Sequence, residues 1–335
     1  MRFPIMNQTR LEQQICGHDT ATTMLSRAVT TGMFPQSLLI TGIPQLGKRT
    51  LAYTIANVLV CTSEMKPCGK CIPCRKLLSG NHPDITILDD AEKSLKIEQI
   101  RELQHTLSFS PHESLYKIAI LADFERATDG AANALLKTLE EPLSYIILIL
   151  TARSSTLLLP TIVSRCQVIS LKQVTDQVIA TMLQKKWNVS VDESMLLGRL
   201  AAGRPGWAVQ VLTNPDLRAE RQTYLSDLIE LTCNNYHFRL DYANKCIKKD
   251  FPTVTILNLW LSWWRDVLLI RSGVDNNVIN IDYLNDLRRF ANALPTKEIL
   301  TIVTRTYTTL QNLKYNVNAR LNIEVLVLNL PLLKS

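Results

Sequence analysis

The pattern of apolar and polar positions changes character near residue 170. Before it, short continuous apolar runs alternate with stretches of helical period. SLLITG (37–42), DITILD (84–89), KIAILA (117–122) and YIILIL (145–150) are runs of the length and β-branched content expected of strands buried in a parallel sheet. TLAYTIANVLV (50–60) predicts a helix directly after the first of them. In AANALLKTLEEP (131–142), Ala132, Leu135, Leu136 and Leu139 recur at i, i+3, i+4 and i+7, one buried helix face closed by Pro142. Beyond about residue 170 the β-rich runs stop. Residues 171–213 predict a small helical unit in which GRPGWA (203–208) is a turn opening a helix, and Asn214-Pro215 marks a link. From 214 to 335 the pattern is helical throughout. Trp260, Trp263 and Trp264 share one helix face and are expected in its core rather than on a ligand surface. The expectation is an α/β parallel-sheet domain over 1–170, a helical unit over 171–213 and an all-α domain over 214–335.

Composition adds little to that picture except through charge and cysteine. The chain has 335 residues, 46% hydrophobic and 20% charged, ordinary for folded domains with ample core. The longest apolar runs, such as IILIL at 146–150, fall far short of the roughly 18–20 residues of a membrane helix. MRFPIMNQTR lacks the apolar run and cleavage site of a secretory signal, so a soluble cytoplasmic chain is expected. A net charge of +7 suits an acidic partner such as nucleic acid, and equally suits a basic surface that binds nothing.

Four of the eight cysteines fall in CTSEMKPCGKCIPC, spaced C-x6-C-x2-C-x2-C. Two overlapping C-x2-C steps can turn Cys68, Cys71 and Cys74 toward one point, and Cys61, at the end of the preceding helix, can complete a tetrahedron. Structural zinc is the reading preferred over disulfides, which suit a cytosolic chain poorly, and over redox chemistry at Cys71 and Cys74, because the extra flanking cysteines suit a closed metal site; four thiolate ligands leave no open position for catalysis. His82 is a conceivable substitute ligand.

GIPQLGKRT (42–50) has the strand, GxxxxGK and helix order of a phosphate-binding loop, with Gly42, Gly47 and Lys48 in place. The next residue ordinarily offers a hydroxyl to Mg²⁺. Here it is Arg49, which has only donors and a positive charge. Thr50 carries a hydroxyl, but one step along a helix turns it about 100° away. A metal-holding Asp-Glu pair would fall at 122–123, where the chain has Ala122-Asp123; a slipped register would use Asp123 and Glu125. Both departures touch the same task, holding Mg²⁺, and argue against hydrolysis in this pocket.

Together Gly42–Lys48, the cysteine insertion after the loop helix, NALLKTLEEP (133–142) and SRC (164–166) resemble the bacterial clamp-loader AAA+ subunits of DNA polymerase III. ICGHD (15–19) is similar to the family's adenine-side segment, and WWRDVLLIRSG (263–273) and NVNARLNIEVLVL (316–328) to its collar motifs, so the resemblance spans nearly the whole chain. It implies a RecA-like AAA+ domain with an inserted zinc module (61–74), a helical lid (171–213) and a helical collar (214–335). It also implies a five-subunit ring with delta and gamma/tau subunits, acting on the sliding clamp and primer-template DNA. Within it this chain resembles the stator rather than an ATPase motor, the gamma/tau-like motor being the alternative, and ATP with Mg²⁺ in its own pocket is doubtful. Gly206 stands where motor subunits carry a sensing arginine. Arg165 matches an arginine finger acting on the neighbouring subunit's nucleotide; the residue-level alternative is a pair with Glu140 or Glu141. Thr151 matches a γ-phosphate sensor position, or is simply structural at a strand end.

Overall fold

The computed structural model describes residues 15–89, 94–248, 251–313 and 318–333. The amino-terminal segment read for export signals, and residues 316 and 317 of the second collar motif, lie outside them. The chain forms two compact units, one comprising residues up to 188 with 203–206, the other 189–202 with 207 onward.

The first unit is built on five parallel strands: β1 (Ser37–Thr41), β2 (Ile85–Leu88), β3 (Lys117–Leu121), β4 (Ile146–Ala152) and β5 (Gln167–Ser170). Their spatial order is β2-β3-β4-β1-β5. All four apolar runs become strands, and β1, β3 and β4 are buried at every position, as sheet centres covered on both faces must be. The pleat sorts each run in two. Leu38, Ile40, Ile118, Ile120, Ile147 and Ile149 enter one core, while Leu39, Ala119, Leu121, Leu148 and Leu150 enter the other. The first core takes helices α1 (Asp19–Thr30) and α2 (Lys48–Val60), and the second takes α4 (Ile97–Leu107) and α5 (Asp129–Glu140); the short α3 (Ile72–Leu78) joins the first through Leu77. Helix α2 is buried along almost its full length, which explains why apolar residues appear on all its faces from Leu51 to Val60. On α5, Ala132, Leu135 and Leu139 are buried as their spacing requires, with Leu136 partly so.

The fold class is the one expected, a parallel-sheet α/β domain followed by helices. β5 is the strand that the apolar runs did not announce. At the sheet edge only Ile169 of its four residues is buried, so it has no continuous apolar signature. The remaining elements of this unit are the short α6 (Pro160–Val163) and α7 (Asp176–Trp187).

The second unit is helical: α8 (Val191–Leu200), the bulk of α9 (Pro205–Thr213), α10 (Pro215–Cys233), α11 (Tyr236–Cys246), α12 (Thr253–Arg271), α13 (Leu284–Ala293), α14 (Thr296–Asn312) and α15 (Ala319–Leu328). Trp260, Trp263 and Trp264 are its core, all within 1% of full burial. Trp263 and Trp264 both meet the Phe290 ring edge-on, and Trp260 stacks on Tyr242. The Arg239 guanidinium, also buried, donates to the carbonyls of Leu231, Leu330 and Pro331 at 2.6–2.8 Å, satisfying backbone acceptors in the last turn of α10 and just beyond α15. Among the described residues no helix is long and apolar enough to cross a membrane.

Candidate functional site

Parallel strands bring their carboxyl ends to one edge, where open α/β sheets bind ligands. The loop after β1, Asp89 after β2, Asp123 after β3 and Thr151 near the end of β4 all lie there. Gly47 caps α2 with φ 95°, a backbone conformation that suits glycine, and so turns the loop into the helix. Lys48 is 6% exposed, and its ammonium donates to the loop carbonyls of Gly42 at 2.7 Å and Ile43 at 3.1 Å. Burial lowers the Lys48 pKa, with the Asp123 and Glu125 carboxylates opposing that shift. The ICGHD segment reaches the same loop, where His18 Nε2 lies 3.4 Å from the Leu46 carbonyl.

Arg49 does not point idly into solvent. Its Nη2 sits 2.7 Å from Asp89 Oδ1 and 2.8 Å from Asp123 Oδ2, so one nitrogen bridges carboxylates that follow two different strands. Asp123 has φ 47°, and its N–H donates to the fully buried Thr151 hydroxyl at 2.9 Å. Ala122 leaves β3 with no side-chain ligand at the preceding position. The other acid of the slipped register, Glu125, pairs with Arg153 at 3.4 Å. Thr50 takes no part in the bridge. Magnesium requires oxygen ligands at about 2.0–2.1 Å, and here a guanidinium nitrogen holds the carboxylates that would supply them. The residues present do not fit Mg²⁺. A cavity of about 370 Å³ opens beside the bridge, lined in part by Asp89, Asp123, Gln99 and Arg126, but not by Lys48.

Gly206 also has a reason to be glycine. Its N–H donates to the Gln45 carbonyl at 2.9 Å, and a Cβ there would lie 2.8 Å from that oxygen. No side chain, arginine included, fits at 206 while the turn rests on the phosphate loop.

Arg165 follows α6 and is about one-third exposed. Its guanidinium bonds the Thr161 carbonyl at 2.9 Å and Glu140 Oε1 at 2.6 Å. Of the two pairings weighed from sequence, the chain forms the one with Glu140.

At the other end of α2, the sulfurs of Cys61, Cys68, Cys71 and Cys74 all lie within 4.8 Å of one another. Cys68–Cys74 and Cys61–Cys71 are each separated by 3.9 Å. Four sulfurs about 2.3 Å from one zinc ion would form a tetrahedron with edges of about 3.8 Å. Cys61 caps the carboxyl end of α2, Cys71 caps α3, and Cys74 lies in the first turn of α3. The Cys68 N–H points at Cys61 Sγ and the Cys71 N–H at Cys68 Sγ, donors that stabilise thiolate charge. Burial raises the Cys61 and Cys74 thiols. Burial also opposes ionisation of Cys71, but hydrogen bonds from the backbone of Cys74 and Thr62 and from neighbouring thiols bring it down to about 6. The set fits a four-thiolate metal site. His82 is outside it; its Nδ1 accepts the Asp84 N–H at 3.2 Å.

The sequence patterns give Asp89 and Gln45 no role, whereas they offer Glu140 as a partner for Arg165. Of the first two, only Asp89 carries a signal, as an acid closing an apolar run at the carboxyl end of a parallel strand.

Two family descriptions match the chain, "DNA polymerase III, delta subunit" over residues 17–175 and "DNA polymerase III, delta subunit, C terminal" over 215–331. A DNA polymerase III subunit delta' of Yersinia pestis is 32% identical over 282 residues, 81% of each chain. The Escherichia coli subunit delta' is 33% identical over 187 residues, 55% of this chain and 56% of that protein. The chain thus spans little more than half the length of the Escherichia coli relative, and the same holds for the one from Haemophilus influenzae. A solved DNA polymerase III gamma subunit-related protein of Thermotoga maritima aligns over 91% of this chain and 97% of its own, at 18% identity and a TM-score of 0.42. On the shared sequence across both units, the chain belongs to the family of bacterial DNA polymerase III delta-prime subunits.

Proposed function

We propose that this chain is the stator of a clamp loader: it completes a five-subunit ring with delta and gamma/tau subunits and turns over no ATP in its own pocket. Arg49 bridging Asp89 and Asp123 is the observation that carries this reading, because it places a guanidinium where hydrolysis needs a metal ion. Lys48 held by loop carbonyls and Gly206 seated on Gln45 agree with it. In this reading residues 1–170, 171–213 and 214–335 serve as AAA+ domain, lid and collar. The sliding clamp and primer-template DNA are reached through the assembled ring, in the cytoplasm. Cys61, Cys68, Cys71 and Cys74 hold a structural zinc ion.

Arg165 acts outward. A guanidinium keeps its charge and presents a planar fork to phosphate oxygens, so it can stabilise phosphoryl transfer on the adjacent subunit. Glu140 holds it ready in the isolated chain, and engagement exchanges that carboxylate for phosphate.

The purified chain is expected to release no phosphate from ATP. In the reconstituted loader, Arg165→Ala should lower ATP turnover by about tenfold or more while the ring still assembles. Turnover by the isolated chain that Lys48→Ala abolishes would instead support a gamma/tau-like motor. Unchanged loader turnover in Arg165→Ala would remove the finger.

A further inference from the structure

We infer that Arg49 is a resident counter-cation: it occupies the metal position of the phosphate loop and performs the ion's bridging task, so this end of the sheet is held together without a divalent metal. The geometry is that of an ion between ligands. One nitrogen lies within 2.8 Å of oxygens from two carboxylates, and these follow different strands, β2 and β3. Arg49 itself stands in the first turn of α2, so a single charge ties three elements at the carboxyl edge of the sheet. A guanidinium does not lose its proton in proteins, so the tie is permanent where a metal's would depend on supply. The substitution at 49 therefore does more than delete a hydroxyl ligand. It puts a covalently attached cation where a soluble one would sit, and it gives both carboxylates a partner. Once the arginine is removed, Asp89 and Asp123 face each other across a space that favours a divalent cation with oxygen ligands.

The test needs only the isolated, zinc-loaded full chain, so its outcome is separate from that of the arginine finger. Mn²⁺ binding is followed by electron paramagnetic resonance and thermal unfolding is recorded with and without Mg²⁺, no chelator being present. The wild-type chain should bind no Mn²⁺ at this pocket, and its Tm should not move with Mg²⁺. Arg49→Thr should lower Tm by about 2–4 °C, gain Mn²⁺ affinity of about tenfold or more, and recover Tm when Mg²⁺ is added. Arg49→Thr combined with Asp123→Asn should lose the acquired ion. A wild-type chain that binds Mn²⁺ here, with the ion lost in Asp123→Asn, would overturn the inference even if Arg49→Thr fails to fold. So would an Arg49→Thr chain that folds and gains no Mn²⁺ affinity.

Discussion

At the amino end of α2 the chain supplies its own cation, Arg49, between two carboxylates; at the carboxyl end it supplies only potential anions, the four thiols. The first arrangement is complete when the chain folds. The second brings four sulfurs together in a way that is favourable as thiolates only when an ion offsets their mutual repulsion and desolvation. One helix thus separates a site fixed by sequence from a site that, on the proposed zinc reading, depends on metal supply. Local structure at the phosphate loop should be indifferent to metal ions, and local structure at the cysteines should not.

The largest effect should come from breaking the dependent end. Cys74 is fully buried, and Cys74→Ser should lower zinc from one equivalent per chain and expose residues 61–78 to hydrogen exchange, since structural zinc contributes apparent binding energies of about 10–16 kcal/mol. Equal zinc content in the variant would disprove the four-thiolate site.

Next is the buried carboxylate that precedes β2. Asp84 is 1% exposed and accepts N–H bonds from His112, Glu113 and Ser114 at 2.6–2.9 Å. Burial raises its pKa, but those bonds outweigh burial and lower it. A lowered carboxylate contributes stability above its unfolded value of about 3.9 and loses it as pH falls through the folded value. Asp84→Asn should therefore cost about 2–3 kcal/mol at pH 7, and the gap should close in urea titrations carried out progressively below pH 4. A gap that persists at the lowest pH would rule out charge as its origin.

Two smaller substitutions sharpen the phosphate-loop side. Gly206→Ala should cost about 1–3 kcal/mol by forcing a Cβ against the Gln45 carbonyl. A thermal melt unchanged from wild type would show that the turn at Gly206 does not rest on the loop in solution. Thr151→Val removes the acceptor for the Asp123 N–H and should cost about 1 kcal/mol. Full stability in that variant, together with a fall in loader turnover, would favour the sensor role over the structural one.

Much of this was legible in the chain itself. The central strands β1, β3 and β4 announce themselves because strands covered on both faces are almost wholly apolar, the half-buried edge strand β2 because its run still carries Ile85, Ile87 and Leu88, and the tryptophans of α12 because three large rings on one helix face need a core. The cysteine spacing picks out the four sulfurs that the fold brings together, because C-x2-C steps act over a single turn. β5 escaped because an edge strand buries only one side chain, and a single isoleucine sets no period.

The phosphate loop marks the boundary between the two kinds of knowledge. Sequence alone determined that Arg49 cannot ligate a metal ion, since that follows from the chemistry of its side chain. That Arg49 replaces the ion was decided by the tertiary structure, because Asp89 and Asp123 lie 40 and 74 residues farther along the chain and meet it only when the sheet aligns the ends of β2 and β3. The same holds for Gly206, whose want of a side chain could be read as a missing arginine until the fold brought the Gln45 carbonyl against it. Residue chemistry is local and can be read from one letter; which charges and surfaces it meets depends on contacts that no local pattern encodes.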